Sequence, residues 1–105
     1  MDAYRSALKF DLGSSKTKSV ELQFSLADIL ELMERNDEAT DEYLKIPYLY
    51  PKETFWIVKA YLRIGRIFED KEKWEEAKTI YKKVIEFKTE ESKFAQERLD
   101  SIERK

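Results

Sequence analysis

The sequence predicts an all-α chain of about six antiparallel helices, and three observations carry that expectation. Apolar residues recur at three- and four-residue spacing in three separate stretches, the period of a helix that turns one face to a core. Only 2 Gly and 2 Pro occur among 105 residues, too few turn formers for a small all-β domain. A hydrophobic content of 42 % with 13 % aromatics supplies one core and excludes an intrinsically disordered chain. The length fits a single domain, 1–105.

The elements follow in order. A first helix, 2–12, carries Ala3, Ala7 and Phe10, and Gly13-Ser14-Ser15 stops it, because glycine takes the left-handed cap conformation at little cost. A second, 17–34, has Leu22, Leu26, Ile29, Leu30 and Met33 as its apolar stripe. Asn36, followed by Asp37 and Glu38, caps a third helix over 37–46, with acids near the positive end of the dipole. Pro47 and Pro51 restrict the residues before them, so the third helix should end or kink there. A fourth helix, 52–69, presents Val58, Tyr61, Leu62, Ile64 and Phe68; a fifth, 73–88, presents Trp74, Ala77, Tyr81, Val84 and Ile85. Thr89, with Glu90 and Glu91 behind it, caps a sixth helix over 90–104.

What is missing narrows the chemistry. With no Cys and no His there is no disulfide, no thiolate nucleophile, no Cys/His zinc site and no imidazole base. Gly13 and Gly65 stand alone, so no glycine loop cradles a phosphate. The sequence calls for no cofactor and no metal. Carboxylates alone remain for catalysis, and they lie mostly on polar helix faces with no pocket visible to raise a pKa. No apolar run approaches the ~18 residues of a membrane span, and no signal peptide opens the chain. A net charge of −2 gives no basic excess for nucleic acid. The charge is uneven, however: residues 1–51 hold 6 bases and 10 acids, residues 52–105 hold 14 bases and 12 acids.

Internal repetition is the most informative feature. Ala3, Ala7, Phe10 has spacings of four and three; Ala39, Tyr43, Ile46 and Ala77, Tyr81, Val84 repeat them, 36 and then 38 residues later. Such periods signal stacked helical units. Tyr61-Leu62-Arg63-Ile64-Gly65-Arg66-Ile67-Phe68, followed by Ala77 and Tyr81, resembles the tetratricopeptide repeat, with an aromatic, a Leu and Gly, a second aromatic, then Ala and an aromatic four residues on. Gln23, Leu26, Ala27, Leu30, Ala39, Tyr43 and Pro51 form a looser copy. The resemblance implies a short right-handed solenoid: the second helix of a truncated repeat at 1–14, repeats at 15–51 and 52–89, and a capping helix at 90–105. The missing half-repeat marks the chain as a piece of a longer scaffold. Small Gly65 and Ala77 let a hairpin's helices approach closely while aromatics fill the wedges between hairpins. Tyr50-Pro51 and Phe94-Ala95-Gln96-Glu97-Arg98-Leu99 are similar to extended repeats of bacterial outer-membrane-assembly lipoproteins and of the Tol–Pal accessory coordinator, although Thr89 stands where a second proline belongs. That finer resemblance implies a periplasmic or membrane-associated protein.

The first helix of each pair lines the concave surface of such a stack, the usual ligand face. Lys59, Arg63 and Arg66 share one side there, with no acid between Thr54 and Phe68. Together with Leu62, Phe24 and Asp28 they are the candidate partner-binding residues, a groove for a protein or an acidic peptide that arginine can grip bidentately. The competing reading is internal pairing, with Asp28 or Glu31 meeting Arg66 or Arg63. Tyr48, Tyr50, Phe55 and Trp56 crowd the inter-repeat turn. Tyr50 and Phe55 suit packing between repeats, and Tyr48 and Trp56 are candidates for an interface patch. Trp74 suits packing into its hairpin turn, and Glu75–Lys78 and Lys82–Glu86 suit pairing on a solvated face. The function implied is a non-enzymatic protein-interaction module; the alternative is a structural subunit that assembles with copies of itself through its terminal helices.

Overall fold

A computed structural model describes residues 15–104. The helix expected at 2–12 and its stop at Gly13 lie outside the described residues. The described chain forms five α-helices and no strand: α1 Ser15–Leu32, α2 Asn36–Leu49, α3 Thr54–Asp70, α4 Trp74–Glu86 and α5 Glu91–Glu103. Each packs on its neighbour in sequence, and α1 also touches α3. The result is a helical solenoid of the tetratricopeptide type, with hairpins α1–α2 and α3–α4 followed by α5.

The two hairpins close by the same device. Glu34 (φ 62°) and Glu72 (φ 59°) lie 38 residues apart in the left-handed region. Behind Glu34, the N–H of Arg35 donates to the Leu30 carbonyl at 2.9 Å; behind Glu72, that of Lys73 donates to Phe68 at 2.8 Å. These are Schellman closures, formed without the usual glycine. They replace the cap expected from Asn36, which is already the first residue of α2; Arg35 precedes it and no side chain caps the helix. Asn36 instead offers its carbonyl to the Thr40 hydroxyl at 2.8 Å. Thr89 does not cap α5 either. Its backbone N–H donates to Ser92 Oγ at 3.1 Å, and the Ser92 hydroxyl turns back to the Val84 carbonyl at 3.3 Å.

Pro47 lies inside α2 rather than at its end. It removes the N–H that would donate to the Tyr43 carbonyl, but Ile46 is fully buried, so core packing holds the last turn in helix. The Tyr50 N–H then closes on the Ile46 carbonyl at 2.8 Å.

The apolar stripe expected on α1 is not the one that packs. Val20, Phe24 and Ala27 are buried, whereas Leu26, Ile29 and Met33 are exposed and Leu22 is half-buried. Helix α1 carries apolar residues on more than one side, and spacing cannot say which side its neighbours cover. Of the expected stripe, Leu30 alone packs against the core.

Two clusters form the core. The first joins Val20, Phe24 and Ala27 of α1 to Ala39, Tyr43 and Ile46 of α2 and to Ile57, Ala60, Ile64 and Ile67 of α3. The second joins Val58 to Ala77, Tyr81 and Val84 of α4 and to Ala95, Leu99 and Ile102 of α5. Each spans hairpin and successor, so consecutive units share a continuous interior. Gly65 permits the tightest approach: a Cβ there would sit 2.7 Å from the Tyr81 ring. Trp74 packs against the second cluster as expected. Lys78 pairs with Glu75 at 3.1 Å, while Lys82 and Glu86 form no ion pair.

Candidate functional site

Helices α1, α3 and α5 occupy equivalent places in successive units, and polar side chains bridge them. In the first unit the Tyr43 hydroxyl donates to Glu31 Oε1 at 2.8 Å, and Arg66 of α3 donates to Glu31 Oε2 at 2.8 Å. In the second, the Tyr81 hydroxyl donates to Glu69 Oε2 at 2.6 Å, and Arg98 of α5 grips both oxygens of Glu69. Glu31 and Glu69 are 38 residues apart, as are Tyr43 and Tyr81. The structure thus repeats one staple: a glutamate near the end of a first helix binds the tyrosine of its own hairpin and an arginine of the next. Both tyrosines are buried. Burial, then the hydrogen bond to a glutamate, pushes both phenols far above the ordinary tyrosine value. The same glutamates hold the Arg66 and Arg98 guanidiniums above theirs.

This staple was legible only in outline. Glu31 entered the sequence reading as one alternative partner for Arg63 or Arg66, while Glu69, Arg98 and the two hydroxyls were missed. The signal was there, in the twelve-residue step from Glu31 to Tyr43 that recurs from Glu69 to Tyr81.

The candidate groove residues take distinct places. Arg63 lies 3.3 Å from Asp28 and 4.0 Å from Glu31, so the internal pairing forms. Arg66 pairs with Glu31 yet stays exposed. Lys59 turns to rings instead, its Nζ 5.4 Å from the centroid of Phe24, 5.1 Å from Phe55 and 5.3 Å from Trp56. Phe24 itself is only 7 % exposed: it packs edge-on to Tyr43 at 5.3 Å and against Trp56 at 5.4 Å. It belongs to the interior beneath the groove, because its face of α1 is the one the neighbouring helices cover.

The aromatic turn also divides. Tyr48 is 83 % exposed, whereas Trp56 is half-buried and packs on the first cluster. Tyr50 packs there too, as expected, but Phe55 projects into solvent. The register explains the exchange: Ile57, not Phe55, occupies the inward position at the start of α3.

Between α3 and α5 opens a pocket of about 490 Å³. Leu62 and Phe94 supply its apolar wall, and Arg63, Arg66 and Arg98 bring three guanidiniums to its rim with Glu69 and Asp70. Phe94 is half-exposed there, an aromatic available for contact. Among the described residues no group of three or more acidic side chains is placed to hold a metal ion, and no helix is long and apolar enough to cross a membrane.

Residues 58–91 match the family model of the tetratricopeptide repeat. The matched stretch runs from Val58 in α3 through α4 to the first residue of α5, so it holds Gly65, Glu69, Ala77 and Tyr81, while Arg98 lies beyond it. The tetratricopeptide repeat is a protein-interaction motif that uses extended concave surfaces. The α1–α2 hairpin has the same closure and the same glutamate–tyrosine bond 38 residues earlier, with its arginine, Arg66, 32 residues before Arg98. No curated protein and no solved structure matches the chain.

Proposed function

We propose that the protein is a non-catalytic interaction module that takes a peptide or an extended segment of a partner protein along the face of α1, α3 and α5. The observation that carries this reading is the pocket between α3 and α5, where Leu62 and Phe94 flank three arginines. An apolar anchor would enter between Leu62 and Phe94. An acidic group beside it would reach Arg66, which is exposed despite its bond to Glu31, and Arg63. Half-exposed surface pairs such as Arg63–Asp28 are worth about 1 kcal/mol or less, so a partner's carboxylate competes for the guanidinium at small cost. Lys59, held by rings rather than carboxylates, extends the positive face toward α1. Tyr48 offers a separate aromatic contact, remote from any core role.

A displayed library of random peptides, selected on the full chain, tests the proposal. The expected winners combine an apolar residue with acidic ones, and their binding is lost in Arg66→Glu and weakened in Phe94→Ala while the thermal midpoint changes little. Absence of enrichment, or enrichment indifferent to both substitutions, refutes it. The finer kinship with outer-membrane-assembly lipoproteins is supported by Tyr50-Pro51 and by the 38-residue period; the reading frame before Met1 tests it, a lipoprotein leader being the expected result.

A further inference from the structure

The pocket between α3 and α5 is less positive than its three arginines suggest. Each guanidinium on its rim already faces a carboxylate of the chain: Arg63 lies 3.3 Å from Asp28, Arg66 bonds Glu31 at 2.8 Å and Arg98 grips Glu69. Asp70 is different. It lines the same pocket and is exposed, yet among the described residues it forms no ion pair and accepts no hydrogen bond. Arg66, one turn back, feels its charge, although Glu31 is the larger influence on that guanidinium. Lys71, the next residue, turns to Asp37 instead. Asp70 also ends α3, whose last turn carries no basic residue, so the negative end of the helix dipole adds to its carboxylate. The uncompensated charge at this end of the pocket is therefore negative, and an all-acidic ligand is opposed there.

On the reading of this pocket as a peptide site, we infer that its ligand carries a basic residue beside the acidic one, and that Asp70 selects it. Leu62, Arg66 and Asp70 stand at successive four-residue steps of α3, so they line one side of the helix about 6 Å apart. An extended peptide presents alternate side chains on one side, about 6.6 Å apart. The two rows match step for step. An apolar side chain enters between Leu62 and Phe94, an acid two positions on meets Arg66, and a Lys or Arg two positions further meets Asp70. The acid must compete with Glu31 for Arg66, whereas the base gains a carboxylate that nothing else in the described chain holds. Discrimination between Lys or Arg and Asp or Glu at that third position therefore comes from Asp70 rather than from the arginines.

A displayed library of random peptides, selected in parallel on the full chain, on Asp70→Asn and on Asp70→Lys, tests the inference. The parent is expected to enrich peptides with an apolar residue, an acid and a base at alternate positions. Asp70→Asn should keep the apolar residue and the acid but lose the base, and Asp70→Lys should replace the base by a second acid. Asp70 is exposed, so both variants should keep the parent's thermal midpoint. A synthetic peptide of the selected sequence adds a measurement on the parent that needs no variant: changing its base to Glu should weaken binding about five-fold, and the changed peptide should bind Asp70→Lys more tightly than the parent. Equal binding of the two peptides to the parent overturns the inference. Enrichment of the apolar and acidic residues without a base overturns it too and leaves the peptide site standing. A base that persists in both variants also overturns it, since another carboxylate then holds that base. No enrichment on any of the three proteins overturns the site and the inference together.

Discussion

Replacing Gly65 by alanine sets two effects of opposite sign against each other. In a helix interior, alanine is favoured over glycine by about 1 kcal/mol. The new methyl, however, would lie 2.7 Å from Cε1 and Cζ of Tyr81 and 3.1 Å from its hydroxyl oxygen, well inside the ~3.5–4 Å of a comfortable contact. Tyr81 is 1 % exposed, so its ring has nowhere to retreat without disturbing packing, at a cost of about 1–3 kcal/mol. Displacement also strains the 2.6 Å bond from its hydroxyl to Glu69, of a kind worth about 1.5–3 kcal/mol. The contact therefore wins, and Gly65→Ala should destabilise the fold by about 1–2 kcal/mol net of the propensity gain. Urea unfolding should show a lower midpoint with an unchanged slope, and heating a fall of ~4–8 °C per kcal/mol. In a Tyr81→Leu background the ring tip is gone, and the same substitution should become neutral or stabilising. Ala27, which stands 38 residues before Gly65, shares its cluster with Tyr43, so the hairpin accepts alanine where its helices are spaced for it. A Gly65→Ala protein as stable as the parent would refute the claim that close α3–α4 approach depends on this glycine.

Three further outcomes follow from the same geometry. Burial and the glutamate bonds hold the Tyr43 and Tyr81 phenols above their unfolded value of ~10, so their contribution to stability is complete well below pH 10 and is lost as pH rises past it, the slope steepening toward about 2.7 kcal/mol per pH unit for the two; urea unfolding should be nearly flat below pH 9 and lose about 3 kcal/mol between pH 9 and 11, roughly half of it removed by Tyr43→Phe, and a flat profile would contradict the buried staples. Thr89 Oγ1 is buried without a hydrogen-bond partner, so Thr89→Val should leave stability unchanged or raise it by about 1 kcal/mol; a clear loss in calorimetry would mean the hydroxyl has a partner. Glu34 and Glu72 occupy left-handed backbone in the same closure, so Glu34→Gly and Glu72→Gly should each raise the thermal midpoint, by an equivalent of about 1 kcal/mol; opposite responses at the two sites would break the equivalence of the hairpins.

Much of this protein could be read from its amino acids because helical periodicity and repeat spacing are local, one-dimensional signals. Ala39, Tyr43, Ile46 and Ala77, Tyr81, Val84 announce helices that bury one face, and all six residues are buried. Gly65 and Ala77 announce a close approach, and Tyr81 fills it. Helix ends were less legible. Asn36 and Thr89 are good caps by type, but the chain closes through left-handed Glu34 and Glu72 and through Ser92, since the tertiary spacing of the hairpins dictates the turn. Which side of α1 faces inward was not legible at all: apolar residues lie on more than one side, and the position of α2 and α3 alone makes Phe24 interior and Leu26 exterior. For the same reason the sequence could offer Arg63 and Arg66 as a free basic stripe or as paired side chains. Charge and spacing are properties of a single helix, whereas whether Glu31 stands within reach of Arg66, 35 residues away, is decided only when successive hairpins stack.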